Sequence, residues 1–167
     1  CSVPVLLETM QTLRLRPNGA TLAHLFALSR SHGELRAVQS LLPPRPPSNL
    51  AHASMMAAAR LVPLEAADTL AALLRNNAPP PSHGAAAAVL LHLCKLGRPD
   101  VTRSLLRTLF ERGSRLGERY AGALLCAASE AVAAGDARAA TEGRELIIDL
   151  REALFGGLQA SVDGNIK

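Results

Sequence analysis

Apolar residues recur along this chain at steps of three and four. Leu22, Leu25, Phe26 and Ser29 fall on one face of a helix, as do Val89, Leu90, Leu93 and Cys94. Ala123, Leu124, Ala127 and Ala128 repeat the stripe. So does the set Val101, Leu105, Leu106, Leu109 and Phe110 further along. The stripes predict amphipathic helices throughout, with runs of alanine at Ala57–Ala59 and Ala85–Ala88 that permit close helix approach.

Punctuation divides the stripes. Pro17-Asn18-Gly19, Pro43-Pro44-Arg45-Pro46-Pro47, Pro79-Pro80-Pro81 and Gly113–Gly117 are strong breaks, because Gly tolerates left-handed backbone and Pro lacks a helix donor. Each segment between them breaks again near its middle, at Gly33, Val62-Pro63, Gly97 and Gly135. Gly33, Gly97 and Gly135 suit the residue that ends a helix, Pro63 and Pro99 suit a first helical position, and Asp136 suits a cap. Positions 33, 62, 97 and 135 are 29, 35 and 38 residues apart, so a helix–turn–helix unit recurs at about 35 residues. Residues 1–18 read as the second helix of a truncated repeat. Hairpins follow at 19–47, 48–81, 82–117 and 118–159, and 160–167 form a C-terminal tail. Opening on a second helix, the chain is expected to start mid-repeat, with either further repeats or only the missing first helix before it.

Composition supports the helical reading. The 167 residues include 30 Ala and 30 Leu but only three Ile, and 2% are aromatic. Strands need β-branched and aromatic residues, whereas Ala and Leu favour helix, so all-β and doubly wound α/β folds are excluded. Such paired helices cannot bury their apolar faces alone, and stacking of neighbours makes the core. The fold class expected is all-α, an α-solenoid of stacked helix–turn–helix repeats.

At this point the residues resemble a known family. Gly84 to Gly117, GAAAAVLLHLCKLGRPDVTRSLLRTLFERGSRLG, is similar to a pentatricopeptide repeat: a first helix ending in Leu-Cys-Lys-x-Gly, a second carrying Leu-Leu and Leu-Phe, then a Glu-Arg-Gly exit. Leu6 to Asn18 resembles the end of such a repeat, and 21–42 and 120–148 match more loosely. The second unit is weakest, since Val62-Pro63 replaces the turn glycine. Tetratricopeptide repeats are built on a similar hairpin.

The resemblance implies an organellar protein, of mitochondrion or plastid, whose first helices line a groove for single-stranded RNA. Two side chains per repeat would read each base. The main reading position would fall nine residues before the turn, on His24, Ala53 and Ala88, with Gly122 or Cys126 in the fourth unit. The second would fall on Asn18, Ser48 and His83. Ala cannot address a base edge, so base-specific reading is not expected. With one Tyr and three Phe, stacking platforms for single strands are also scarce.

Charge widens the candidate list. The net charge is +4, which permits a nucleic-acid partner but is equally what an Arg-rich, GC-rich coding sequence yields. Lys95, Arg98, Arg103, Arg107, Arg112, Arg115 and Arg119 face only Asp100, Glu111 and Glu118 over the same stretch. Arg103 and Arg107 share a helix face that either contacts phosphate or an acidic protein, or is simply solvated. With Asn18, Thr21 and His24, these cations are the candidate RNA- or partner-binding residues. The acidic stripe Glu142, Glu145, Asp149 and Glu152 reads either as a solvated face or as a docking surface.

Chemistry is thin. His92 and Cys94 lack the companion pair a structural zinc needs, and Cys94 and Cys126 are expected to be buried at equivalent positions. Three cysteines make no disulfide framework. No nucleophile elbow, phosphate loop or metalloprotease helix is present. No apolar run reaches the ~20 residues of a membrane span. No enzyme, cofactor, small-molecule substrate or membrane insertion is therefore expected. Two functions remain: an RNA-associated module in organellar RNA metabolism or translation, or a scaffold making protein contacts inside a large organellar complex such as a mitochondrial ribosome.

Overall fold

The computed structural model describes residues 2–76, 78, 82–114, 117–134 and 137–163, with residue 118 and those from 153 onward as backbone alone. Among them the chain is all-α, with nine helices and no strand: α1 (Val3–Thr12), α2 (Gly19–Leu28), α3 (His32–Gln39), α4 (Ser48–Leu61), α5 (Pro63–Arg75), α6 (His83–Lys95), α7 (Pro99–Glu111), α8 (Glu118–Ala134) and α9 (Ala137–Asp163). The pairs α2–α3, α4–α5, α6–α7 and α8–α9 lie over the expected units, although α9 runs past 159 into the segment expected as tail.

Local chemistry starts and stops these helices. Asn18 Oδ1 accepts from the Thr21 amide at 2.9 Å, Ser31 Oγ from the Glu34 amide at 3.2 Å and Ser82 Oγ from the Ala85 amide at 3.0 Å. Pro63 and Pro99 open α5 and α7, where the missing N–H costs nothing. Gly97 closes α6 with φ of +75°, its amide donating to Cys94 O and the Arg98 amide to Leu93 O, both at 3.0 Å. Gly33 differs from expectation. It sits in the first turn of α3, because the Ser31 cap and Glu34, which accepts the Arg30 amide at 2.7 Å, fix the helix start two residues earlier. Gly135 and Asp136 lie outside the described residues.

Packing follows chain order. The first helices contact one another in sequence, α2 on α4, α4 on α6 and α6 on α8, while α5 contacts α7 and α7 contacts α9 on the other side. Each first helix also packs on its own second helix. Ala57–Ala59, Ala85–Ala88, Ala121, Ala127 and Ala128 are all buried, so small side chains fill the first-helix layer. Phe26, Leu70, Leu90, Leu106, Leu146 and Leu150 are fully buried between the layers. Helix α1 joins through Val3, with Leu6 and Leu7 partly buried on the core.

Close approach also decides two glycines. A Cβ on Gly143 of α9 would lie 2.6 Å from Val132 Cγ2 and 3.4 Å from the Ala128 carbonyl oxygen of α8, so α9 rests almost on the backbone of its partner. A Cβ on Gly122 of α8 would meet nothing within 4 Å. Gly143→Ala is expected to destabilise the fold by ~1–3 kcal/mol through overpacking, outweighing better helix propensity. Gly122→Ala is expected to gain up to about 1 kcal/mol. Urea unfolding midpoints of the two variants check the opposite signs.

Candidate interaction surfaces

The expected basic face of α7 is not free. Arg103 Nε donates to Asp149 Oδ2 at 2.7 Å and its Nη1 pairs with Glu145, while Glu142 lies 3.8 Å from the same nitrogen. Arg107 holds Asp149 bidentately, at 2.9 and 3.1 Å. The acidic stripe of α9 thus lies along the cationic stripe of α7, and Asp149 is only 13% exposed. Both stripes were expected to face solvent or a partner. Instead each neutralises the other, because the spacing of one carboxylate per turn matches that of the two arginines across adjacent helices.

Burial alone would raise the Asp149 carboxyl, but the hydrogen bonds from Arg107 and Arg103 outweigh it and hold the group below the ordinary carboxylate range. At the turn between α6 and α7, the Arg98 hydrogen bond does the same to Asp100, with contacts of 3.1 and 3.3 Å.

The remaining candidates scatter. Asn18 and Thr21 are engaged in the α2 cap, where Thr21 Oγ1 also donates to Asn18 at 2.9 Å. His24 is exposed on α2, Lys95 on the last turn of α6, Arg112 at the end of α7 and Arg119 on α8. Arg115 lies outside the described residues. Of the base-reading positions, Ala88 is buried in the first-helix layer. Cys126 is exposed, against the expectation of burial, since Ala127 and Ala128 take the register that Leu93 and Cys94 hold in α6. Burial pushes the Cys94 thiol up to about 11, with Glu130 adding to it, so it stays protonated packing material.

Charge is unevenly shared between the helices. Helices α2, α4 and α6 contain no Asp or Glu, yet carry His24, His52, His83, His92, Arg60 and Lys95. Among the described residues, every ion pair lies on the other layer or its turns: Arg36 and His32 with Glu65, Arg98 with Asp100, and the α7–α9 network. Arg60, which the sequence reading passed over, reaches from α4 to the end of α2, its Nη2 donating to the carbonyls of Ser29 at 2.7 Å and Ala27 at 3.3 Å. It answers the negative end of that helix dipole. On the adjacent α6, burial, then Lys95 and Arg60, lower the His92 pKa, leaving a neutral imidazole near pH 7. The signal for Arg60 was legible: it stands 35 residues before Lys95, one repeat away.

Three first helices also meet at their opposite ends. His52 Nδ1 of α4 lies 2.6 Å from Ser82 Oγ, the α6 cap. Tyr120 of α8 lays its hydroxyl over Gly84, where a Cβ would lie 2.9 Å from it. Near the start of α9, a cleft of about 290 Å³ opens between Gly97–Asp100 and Arg138–Glu142. The described residues contain no group of three His, Cys, Asp or Glu placed to hold a metal, and none of their helices is long and apolar enough to cross a membrane. Compared with family models, curated proteins and solved structures, the chain has no significant match.

The α7–α9 network has a defined pH signature. A carboxylate with a depressed folded pKa stabilises the fold above its unfolded value, near 4, and that contribution is lost as pH falls through the folded value. Asp149→Asn is expected to lower stability at pH 7, and the gap to the parent protein is expected to close in acid. Denaturation midpoints of both proteins across that range test this; a constant gap would assign Asp149 to packing alone.

Proposed function

We propose that this chain is a non-enzymatic, pentatricopeptide-like α-solenoid module that associates with single-stranded or ribosomal RNA in organellar RNA metabolism or translation. The observation that carries the reading is the uneven sharing of charge. Helices α2, α4 and α6 are free of carboxylates and hold Lys95, Arg60 and four histidines, while Arg36, Arg98, Arg103 and Arg107 of the other layer and its turns are paired with carboxylates. The concentration of contacts between helices one or two places apart in the chain supports the solenoid. Binding of this kind rests on phosphate, since cations supply affinity without base identity. Ala53 and Ala88 stand where the family reads bases, which argues for backbone contact over sequence readout. The family likeness further proposes mitochondrion or plastid as its location.

A second reading, a scaffold subunit contacting proteins within a large organellar assembly such as a ribosome, is favoured by the exposed apolar side chains Leu28, Met56 and Leu96. Titrating a panel of unrelated single-stranded RNAs at two salt concentrations separates the two. The RNA reading expects similar affinities across the panel, with a slope of about −0.7 in log affinity per phosphate contact. Lys95→Glu combined with Arg119→Glu is expected to weaken all of them alike and flatten the slope. Absence of binding near physiological salt sinks the RNA reading and leaves the scaffold.

A further inference from the structure

Helices α4 and α6 meet at both ends, and the second meeting leaves an imidazole without a partner. At the first, His52 Nδ1 lies 2.6 Å from Ser82 Oγ. Eight residues beyond His52, at ~1.5 Å of rise each, Arg60 comes level with the last turns of α6, where His92 stands. Arg60 is near enough there to act on the ionisation of that ring. Lys95 follows His92 by three residues and so shares its side of the helix. Three nitrogen-bearing side chains from two helices are thus gathered at one place.

Each keeps hydrogen-bonding capacity. Arg60 is exposed, and it uses only Nη2 on the carbonyls of Phe26, Ala27 and Ser29, so Nε and Nη1 retain their N–H groups. Those carbonyls also hold the guanidinium in place before any ligand arrives, which lowers the entropy lost on binding. Lys95 is exposed and joins no ion pair among the described residues. His92 is half-buried, and neither ring nitrogen has a hydrogen-bond partner among them.

Charge around His92 is one-sided. Burial, then Lys95 and Arg60, favour the neutral ring. Helices α4 and α6 contain no carboxylate. On α8, Glu130 bears on Cys94, which stands ~200° round α6 from His92 and so on its opposite side. Of the second helices packed on α6, α5 offers Glu65, paired with Arg36, and the exposed Asp68, while α7 offers Asp100, paired with Arg98. None of these acids is among the charges that act on the ring. An oxyanion between Arg60 and Lys95 would supply the missing counter-charge and screen both cations from His92. The negative end of the α6 dipole would then help to keep a proton on the imidazole.

We propose that Arg60, His92 and Lys95 form a phosphate site at the paired ends of α4 and α6, and that a phosphate seated there is bound together with a proton on the His92 imidazole. Protonated, His92 donates to a phosphate oxygen beside Arg60 and Lys95. The RNA reading names the source, a backbone phosphodiester, and the proposal rests on that reading for the source alone. Its consequence is an RNA affinity that rises as pH falls, since uptake of one proton gives a slope of up to about −1 in log affinity against pH.

The whole chain is titrated with an oligouridylate of about 12 nucleotides at constant ionic strength, between about pH 5.5 and 8. In a second arm the ring resonances of His92 are followed by NMR with and without sulfate, an oxyanion that does not titrate in this range. Each ligand is expected to raise the His92 midpoint by about one unit, which corresponds to oligonucleotide binding about tenfold tighter in acid than in base. His92→Gln is expected to flatten the pH slope. Lys95→Gln is expected to shrink the shift that sulfate causes, and Lys95→Arg to restore it; circular dichroism verifies that the variants remain folded. A midpoint unmoved by both ligands, or an unchanged slope in His92→Gln, would overturn the proposal, while oligonucleotide binding that persists in either case leaves the RNA reading standing. A midpoint raised by sulfate with no oligonucleotide bound would keep the phosphate site and remove RNA as its source.

Discussion

The close approach of the first helices is the constraint on which the rest depends. Where α4 meets α6 and α6 meets α8, alanine Cβ atoms do the filling, with Ala57–Ala59, Ala85–Ala88, Ala121, Ala127 and Ala128 all out of solvent. A larger residue there would force the helices apart and break the register of every neighbour, since native interiors leave little slack. The same economy recurs at Gly84 under the Tyr120 hydroxyl and at Gly143 against the α8 backbone. A layer built this tightly has few positions from which a long side chain can emerge, and chemistry is displaced to its faces, ends and turns.

Charge is sorted by the same geometry. Second helices stand farther from the alanine seam and carry the ion pairs, culminating in Arg103 and Arg107 against Glu145 and Asp149. At Arg103 and Asp149 these pairs are partly buried, and guanidinium nitrogens donate to the carboxylates, which is the arrangement in which a charge tolerates losing water. Helices α2, α4 and α6 keep cations without carboxylates, and Arg60 turns to helix-end carbonyls. The cations of α2, α4 and α6 thus face no carboxylate of their own helices, whereas Arg103 and Arg107 are already committed within the fold.

Much of the architecture was legible before any coordinates. Pro63, Pro99 and Gly97 mark helix ends by local backbone chemistry alone, and the stripes Leu22-Leu25-Phe26-Ser29 and Val89-Leu90-Leu93-Cys94 are buried as their spacing implies. What escaped was set by competition or by tertiary pairing. Gly33 looked like a stop until the Ser31 cap claimed the start of α3. Cys126 differs from Cys94 by a helical phase that depends on where α8 begins its contact with α6. The arginines of α7 resembled a binding surface because nothing in their own segment says that a carboxylate stripe some forty residues later, with Asp149 46 positions beyond Arg103, will cover them. Pairing at that range is decided by how whole helices align, which local pattern does not encode.

The order of contacts has a consequence for how the molecule comes into being. Because the main helix contacts join helices one or two places apart in the chain, no loop must close over a long distance before native contacts begin to form, and the entropic toll of each step is small. Folding can begin at any pair and spread outward, and the ends can fray while the middle persists. Evolutionary change is buffered in the same way: a hairpin has to fit two neighbours, not a global core. Such a chain has no single centre on which every local change must bear, and a substitution in one hairpin is felt first by the hairpins beside it.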